Sequence, residues 1–205
     1  MSGTTTRGLP YPTGDDKVAE GDNAIRALAE SIDALITGQI VKPTAVSTGG
    51  VINADGTVSF TAQNVIEVRG CFPAGTKFAR VFISVEGTTV AGPGNFQFMQ
   101  GTTPVATSYA FQRTDFTNVV TANQLTTGGT AVQIMNFSAG GGFVDLLVVN
   151  PGVASRKFFQ ARSGGIGTGQ LSWGSCDNLA ANFDGFKIYG WANAVNSVIR
   201  VQRHY

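Results

Sequence analysis

The chain changes character after residue 45, and this change constrains its fold more than any other feature. Residues 46–205 consist of short stretches in which apolar and polar residues alternate, such as Phe78–Val85 and Phe143–Val149, separated by turns that contain glycine or proline. Alternation with a period of two places apolar side chains on one face of a β-strand, and no stretch here has the 3.6-residue period of a helix. About ten short strands without intervening helices predict an antiparallel β-sandwich or jelly-roll-like domain.

Residues 1–21 are predicted to form an extended arm. Pro10 and Pro12 flank Tyr11 and favour extended backbone on both sides of it. The segment contains too little apolar surface to fold by itself, so it is either disordered or ordered by lying on a partner. In the second case, we expect docking through the residues Leu9, Pro10, Tyr11 and Pro12.

Residues 22–37 are predicted to form one short amphipathic helix. The apolar positions of this helix follow the spacing of a coiled-coil a/d seam about two heptads long. They are Ile25, Leu28, Ile32 and Leu35. A lone helix of roughly 16 residues is marginal in water, so the seam has to be buried against either the β-rich domain or the same helix of sister subunits.

These patterns divide the chain into four parts. Gly38 favours the end of the helix and Pro43 prevents its continuation, which places a linker between the helix and the β-rich region. The parts are the arm at 1–21, the helix at 22–37, the linker at 38–45 and a β-sandwich head at 46–205. The predicted fold class is therefore mostly β, with an extended arm and one short α-helix before the head.

Charge and hydropathy exclude several functional classes. Charged residues make up 13% of the chain and the formal net charge is +1, so no strong field attracts nucleic acid or an anionic membrane. The longest apolar run, around Val144–Val149, is far shorter than a membrane-spanning helix. The polar N-terminal residues lack the pattern of a secretory signal peptide. We expect neither a nucleic-acid partner nor insertion into a membrane.

Two cysteines, Cys71 and Cys176, are too few for a disulfide framework. They are predicted to be buried thiols that act as small apolar residues, while pairing between them is left open. Such cysteine usage is typical of a chain made in a reducing cytoplasm.

The residue pattern predicts no enzyme. The single histidine, His204, would need an orienting carboxylate and a nucleophile to act as a general base. Asp115 and Asp177 are the one carboxylate pairing that the sequence leaves open for a glycosidase. Residues 15–22 lack the ligand spacing of a calcium loop, and two cysteines with one histidine make no zinc site. We therefore expect no catalytic residue, no metal and no cofactor.

Two tryptophans are the candidate ligand or interface residues. Trp173 and Trp191 each lie beside small or polar residues, which is typical of an aromatic side chain that is not in the core. Aromatic faces bind sugar rings and anchor protein interfaces alike. The alternative is that both tryptophans belong to the core or to a subunit contact.

The sequence resembles a known group of proteins in two places. The opening run TTTRGLPYPTGDDKVAEGDNAIRALAESIDALI resembles the N-termini of minor virion proteins from tailed phages of actinobacteria. The runs Phe78–Val85, Phe143–Pro151 and Phe183–Gly190 are similar to β-sandwich domains found near the ends of phage fibre proteins. Two departures concern the head: the chain continues past Gly190, and Asn95–Gly101 replaces an Arg-Phe-Asn-Gly-Asp phrase. Loop-borne specificity is therefore not transferred from that group.

The resemblance implies a structural protein of a tailed-phage virion, assembled in the cytoplasm of the bacterial host. Its arm and helix would attach it to other virion proteins, and its head would be displayed outward to bind a glycan or protein of the host surface, as a tail fibre or tip. A homotrimer is expected, with a dimer left open. The alternative is a decoration or cement protein of the capsid or tail that binds nothing on the host.

The C-terminal segment is predicted to add one more strand. Residues Val198–Gln202 alternate in polarity, yet apolar residues fall on both faces, so we expect burial on both sides. Such a strand either closes its own sheet or completes the sheet of a neighbouring subunit, close to a subunit boundary.

Overall fold

The computed structural model describes residues 2–4, 10–12, 25–30, 40–90, 92–116, 120–137, 140–165, 168–179 and 182–204. The chain divides into two compact units, Met1–Ile40 and Val41–Tyr205. In the described parts of the chain, no helix is long and apolar enough to cross a membrane.

The N-terminal unit contains a short pair of antiparallel strands. β1 (Ser2–Thr4) pairs with β2 (Pro10–Pro12). The predicted arm is therefore extended at the prolines, as their restricted backbone favours, but it also pairs with itself, which the sequence did not indicate. Residues 25–30 are helical.

The second unit consists of strands joined by turns. These strands are β3 (Ala45–Val46), β4 (Gly50–Ile52), β5 (Val58–Phe60), β6 (Gln63–Arg69), β7 (Phe78–Val90), β8 (Gly92–Gln100), β9 (Thr103–Pro104), β10 (Tyr109–Phe116), β11 (Val120–Gly129), β12 (Val132–Phe137), β13 (Gly142–Val149), β14 (Lys157–Gly165), β15 (Thr168–Cys176) and β16 (Gly185–His204). Every pairing between them is antiparallel. The prediction of a mostly β, antiparallel sandwich is confirmed.

The strands form a larger and a smaller sheet. The larger sheet has the order β4-β5-β16-β7-β13-β14-β15-β10-β11. The smaller sheet has the order β3-β6-β16-β8-β12, with β9 paired to the end of β8. The two sheets share β16, whose first residues pair with β6 and β8 and whose later residues pair with β5 and β7.

Gly190 lies where β16 passes from one sheet to the other. Its φ of +98° is a conformation that residues with a side chain rarely adopt. A Cβ at this position would also come within 2.7 Å of the carbonyl oxygen of Pro93. The transition between the sheets therefore requires glycine.

The core lies between the sheets and is rich in aromatic rings. The rings of Phe98 and Phe183 stack with centroids 4.9 Å apart, and those of Phe96 and Phe186 with centroids 5.7 Å apart. Tyr109 is fully buried, and its hydroxyl oxygen accepts a hydrogen bond of 2.8 Å from the backbone N–H of Phe98. This bond gives the hydroxyl oxygen of the tyrosine a partner inside the core.

Both cysteines are free and buried, as predicted. Burial raises the pKa of the Cys71 and Cys176 thiols, so both remain protonated and unreactive at neutral pH.

The predicted C-terminal strand forms the later part of β16, but the expected burial on both sides is wrong. Ile199 and Val201 are buried against the core, whereas Val198 is 44% exposed. β16 lies between β5 and β7, so one of its faces contacts the interior of the sandwich and the other points away from it.

Candidate functional site

The larger sheet exposes an unusual number of apolar side chains on its outer face, which is the face directed away from the smaller sheet. Nine of the twelve exposed large apolar residues of the described chain lie there. They are Val51, Phe78, Phe116, Leu125, Phe143, Leu147, Phe158, Trp173 and Val198. Exposed apolar patches are typical of binding or interaction surfaces, so this face is the candidate functional site.

Five side chains form a regular row across this face. Strand register places Leu147 opposite Gln160, Gln160 opposite Trp173, Trp173 opposite Gln112, and Gln112 opposite Leu125. Side chains directly opposite each other in antiparallel strands are in contact range, with Cβ atoms about 4.5–5.5 Å apart. We call this row Leu147-Gln160-Trp173-Gln112-Leu125 the tryptophan row.

A shallow depression of about 460 Å³ surrounds the tryptophan at the centre of the row. Besides Trp173, the outward side chains that line it include Gln112, Leu125, Phe158 and Ser175. Trp173 is 36% exposed, so about a third of its surface is accessible from solvent. None of the described residues that line the depression carries an ionisable side chain.

A second depression, of about 480 Å³, lies over the strands β7, β13 and β16. Its apolar lining includes Phe82, Phe143 and Val198, and its polar lining includes Arg200 and Gln202. Arg200 is exposed. This second depression therefore differs from the first in carrying a positive charge.

A group of three charged residues lies on the same face, on β7, β13 and β14. Arg80 donates two hydrogen bonds to the Asp145 carboxylate, from Nε to Oδ1 at 2.7 Å and from Nη2 to Oδ2 at 2.5 Å. Arg162 donates to Oδ2 of the same carboxylate at 3.4 Å. The hydrogen bonds from Arg80 hold the pKa of Asp145 below its usual range, so the carboxylate is ionised at neutral pH. The Arg80 guanidinium also lies 4.7 Å from the centre of the Phe82 ring.

The two predicted tryptophans lie on different strands. Trp173 is on β15, on the outer face, as a residue available for binding. Trp191 belongs to β16, between the residues that pair with β8 and those that pair with β7. Sequence reasoning named Trp173 as a candidate but not its neighbours, because Gln112 and Gln160 become adjacent to it only through strand pairing.

The other predicted positions belong to the N-terminal unit. Pro10, Tyr11 and Pro12 form β2. Ile25 and Leu28 lie in the helical residues 25–30, where Ile25 is 61% exposed and Leu28 is partly buried. Leu9, Ile32 and Leu35 lie outside the described residues.

The carboxylates that the sequence left open for hydrolysis do not share a cleft. Asp115 forms an ion pair of 3.0 Å with Arg113, and Asp177 forms one of 2.9 Å with Arg156. The Asp115 end of β10 pairs with Gln170, whereas Asp177 follows the opposite end of β15. Six residues of strand separate these ends, roughly 20 Å, and a glycosidase requires its carboxylates within about 10 Å. Within the described ranges, no group of three or more histidine, cysteine, aspartate or glutamate side chains is arranged to hold a metal ion.

The fold defines the chain as an antiparallel β-sandwich protein. No protein-family profile matches the chain, and no curated protein matches it. Similar solved structures include a seed lectin from Lotus tetragonolobus, with 9% identity and a TM-score of 0.30, which covers 82% of this chain and 95% of the lectin. Domain 4 of AbnA, a GH43 extracellular arabinanase from Geobacillus stearothermophilus solved with arabinotriose, has 9% identity and a TM-score of 0.31 over 80% of this chain and 81% of that domain. Peanut lectin with a nine-residue peptide has 11% identity and a TM-score of 0.29 over 78% of this chain and 92% of the lectin. The likeness is one of sandwich architecture, and at these TM-scores it carries no conclusion about binding.

Proposed function

We propose that this chain is a non-enzymatic structural protein of a tailed-phage virion whose head binds the host surface, as a tail fibre or tip protein. The observation that supports binding is the outer face of the larger sheet, where aromatic and aliphatic side chains are exposed together. The virion setting rests on the resemblance of the opening residues to minor virion proteins.

The two units of the chain have different roles in the proposed function. The N-terminal unit, Met1–Ile40, attaches the protein to other virion proteins and to its sister subunits, as a homotrimer assembled in the host cytoplasm. The second unit, Val41–Tyr205, includes the head, which carries the exposed face. Attachment and host contact therefore use different parts of the chain.

A decoration or cement protein is the second candidate function. The outer face favours it in one respect, because the depression lined by Phe82, Phe143 and Val198 is apolar enough to be covered by a neighbouring virion protein. In that case, the face would be buried in the particle and would bind nothing on the host.

Copy number and competition distinguish the two functions. Quantitative mass spectrometry of purified particles from the source that encodes this chain should find a few trimers per particle for a tail protein, and hundreds of copies for a capsid decoration. The full-length recombinant chain, added to host cells before the particles, should reduce adsorption several-fold if the head binds the host. Absence of the chain from the particles would contradict both functions, and unchanged adsorption would contradict host binding.

A further inference from the structure

We propose that the tryptophan row is a binding site for a neutral saccharide. The inference rests on the proposed host-binding function and names the chemistry of the ligand that the outer face takes. It assigns the central contact to Trp173 and the polar contacts to Gln112 and Gln160, which flank it on both sides.

The side chains of the row match the two kinds of surface on a sugar ring. A sugar ring has a face of C–H groups, which packs on the flat ring system of a tryptophan. Its rim carries hydroxyl groups that both donate and accept hydrogen bonds. Each glutamine amide also offers a donor and an acceptor, so Gln112 and Gln160 can pair with hydroxyls on either side of a ring stacked on Trp173.

The length of the row fits a short oligosaccharide. Neighbouring strands are about 4.8 Å apart, so the five side chains span roughly 19 Å. Leu147 and Leu125 form the two ends and provide apolar contact beyond the amides. Phe158, which is 46% exposed, widens the depression beside Trp173.

The absence of ionisable side chains in the described lining of the depression favours a neutral ligand. No described residue that lines the depression is ionisable, so an acidic sugar finds no cation there. The nearest cations on the outer face are Arg162, two residues along β14 from Gln160, and Arg80, opposite Leu147. Both guanidinium groups pair with the Asp145 carboxylate, whose negative charge offsets them. The second depression, with the exposed Arg200, lacks this neutrality.

The alternation of amides with apolar groups also favours a saccharide over a protein surface. An apolar protein partner that covered Gln112 and Gln160 would remove both amides from water and leave their hydrogen-bonding groups without partners, which costs free energy. A saccharide supplies hydroxyl partners at the same spacing. The row lies on five strands with fixed pairing, so its backbone is ordered before the ligand arrives.

The test is affinity electrophoresis of the full-length chain in native gels. The gels contain soluble dextran, galactan or mannan as neutral probes, or polygalacturonate as an acidic one. We expect retardation by at least one neutral polysaccharide and none by polygalacturonate. Trp173→Ala should weaken the retardation at least tenfold, and Gln112→Ala or Gln160→Ala should weaken it several-fold. Phe143→Ala is the matched control, because Phe143 is exposed on the same face but lies outside the row, and it should migrate as the wild type does.

Fluorescence provides a second readout that does not depend on migration. The chain contains two tryptophans, so Trp191→Phe leaves Trp173 as the sole indole emitter. Addition of the polysaccharide that retards the wild type should shift this emission to shorter wavelength, because stacking removes water from the ring.

Three results would overturn the saccharide site. They are no retardation in any neutral gel, stronger retardation by polygalacturonate, or equal behaviour of Trp173→Ala and Phe143→Ala. The adsorption experiment separates this failure from failure of the host-binding function. If the chain competes for adsorption but is not retarded by any neutral polysaccharide, it binds a different kind of host ligand, such as a surface protein.

Discussion

The inner and outer faces of the larger sheet are built from the same strands and similar residues, yet they differ in what covers them. Leu146 is fully buried while its neighbour Leu147 is 36% exposed, and Phe159 is buried while Phe158 is exposed. Consecutive residues of a strand point to opposite faces. The position of a residue along the strand, and not its hydrophobicity, therefore determines whether its side chain is buried or exposed. The inner face is covered by the core of the same chain, whereas the apolar groups of the outer face are exposed to solvent.

The two faces also differ in the surroundings of their charged side chains. Lys157 on the inner side is fully buried, where its Nζ donates to the Asn178 carbonyl oxygen at 3.2 Å and lies 4.5 Å from the centre of the Phe183 ring. Burial lowers the pKa of Lys157, since the charged form is poorly solvated there. Asp145 on the outer side is held between two arginines at the edge of solvent, and its charged form is favoured.

The largest expected effect contrasts the neighbours Leu146 and Leu147. Leu146→Ala should lower the free energy of unfolding by about 2–5 kcal/mol, because it removes a side chain from the packed core and leaves a cavity. Leu147→Ala, the matched control, should cost less than about 1 kcal/mol, since Leu147 already contacts water. Urea unfolding of both variants measures the difference. Equal losses would mean that the outer face is as well packed as the inner one in solution.

The next effect concerns the buried lysine. Lys157→Met should be neutral or raise the free energy of unfolding by about 1–4 kcal/mol at pH 7, because it removes the cost of burying the charge. The folded pKa of Lys157 is lowered, so its cost is fully present below that pKa and disappears as pH rises through it towards the ordinary value of 10.5. The advantage of the variant over the wild type should therefore shrink in urea unfolding as pH rises towards 10.5.

The exposed Lys77 is the control for this substitution. Lys77→Met should change the free energy of unfolding by less than about 0.5 kcal/mol. A loss of more than about 1 kcal/mol in Lys157→Met at pH 7 would show that the contacts of the Lys157 ammonium group outweigh the cost of its burial.

The smallest effect concerns the group of three charged residues on the outer face, Arg80, Asp145 and Arg162. Asp145→Asn should lower the free energy of unfolding by about 1 kcal/mol at pH 7, since the pair with Arg80 is partly exposed and screened. The folded pKa of Asp145 is lowered, so its contribution is present above the ordinary value of 3.8 and is lost as pH falls through the folded pKa. The wild type and the variant should therefore converge in acid. Asp177→Asn, which breaks the more exposed pair with Arg156, is the control and should cost less than about 0.5 kcal/mol.

The period-two alternation of the head was sufficient to predict its strands and its sandwich architecture. It did not predict which apolar residue faces outward where two consecutive residues of a strand, one on each face, are both apolar. The run Phe158-Phe159 and the neighbours Val198 and Ile199 are such cases, and burial of Val198 was wrongly expected for this reason. Alternation assigns a face only when the other face is polar.

The tryptophan row could not be predicted from the sequence at all. Its five members come from five strands, and Leu125 is paired with Gln112 by a register that includes bulges. Register depends on backbone hydrogen bonds formed after the strands meet, and no local pattern records it. The single clue was the small and polar neighbourhood of Trp173, which indicated this residue as a candidate but gave no sign of the side chains beside it.

The shared strand β16 has a consequence for how the head is made. It follows every other strand of the head in the sequence, yet each sheet is organised around it. During synthesis, β5 and β7 in one sheet and β6 and β8 in the other leave the ribosome with a gap between them, which residues 185–204 must fill. The strands β7, β13, β14, β15, β10 and β11 can pair before β16 is made, but neither sheet can be completed without it. Completion relies on pairings between residues far apart in the chain, which form slowly. Nascent chains with open strand edges are exposed to each other on a crowded polysome, so rapid translation should favour their aggregation.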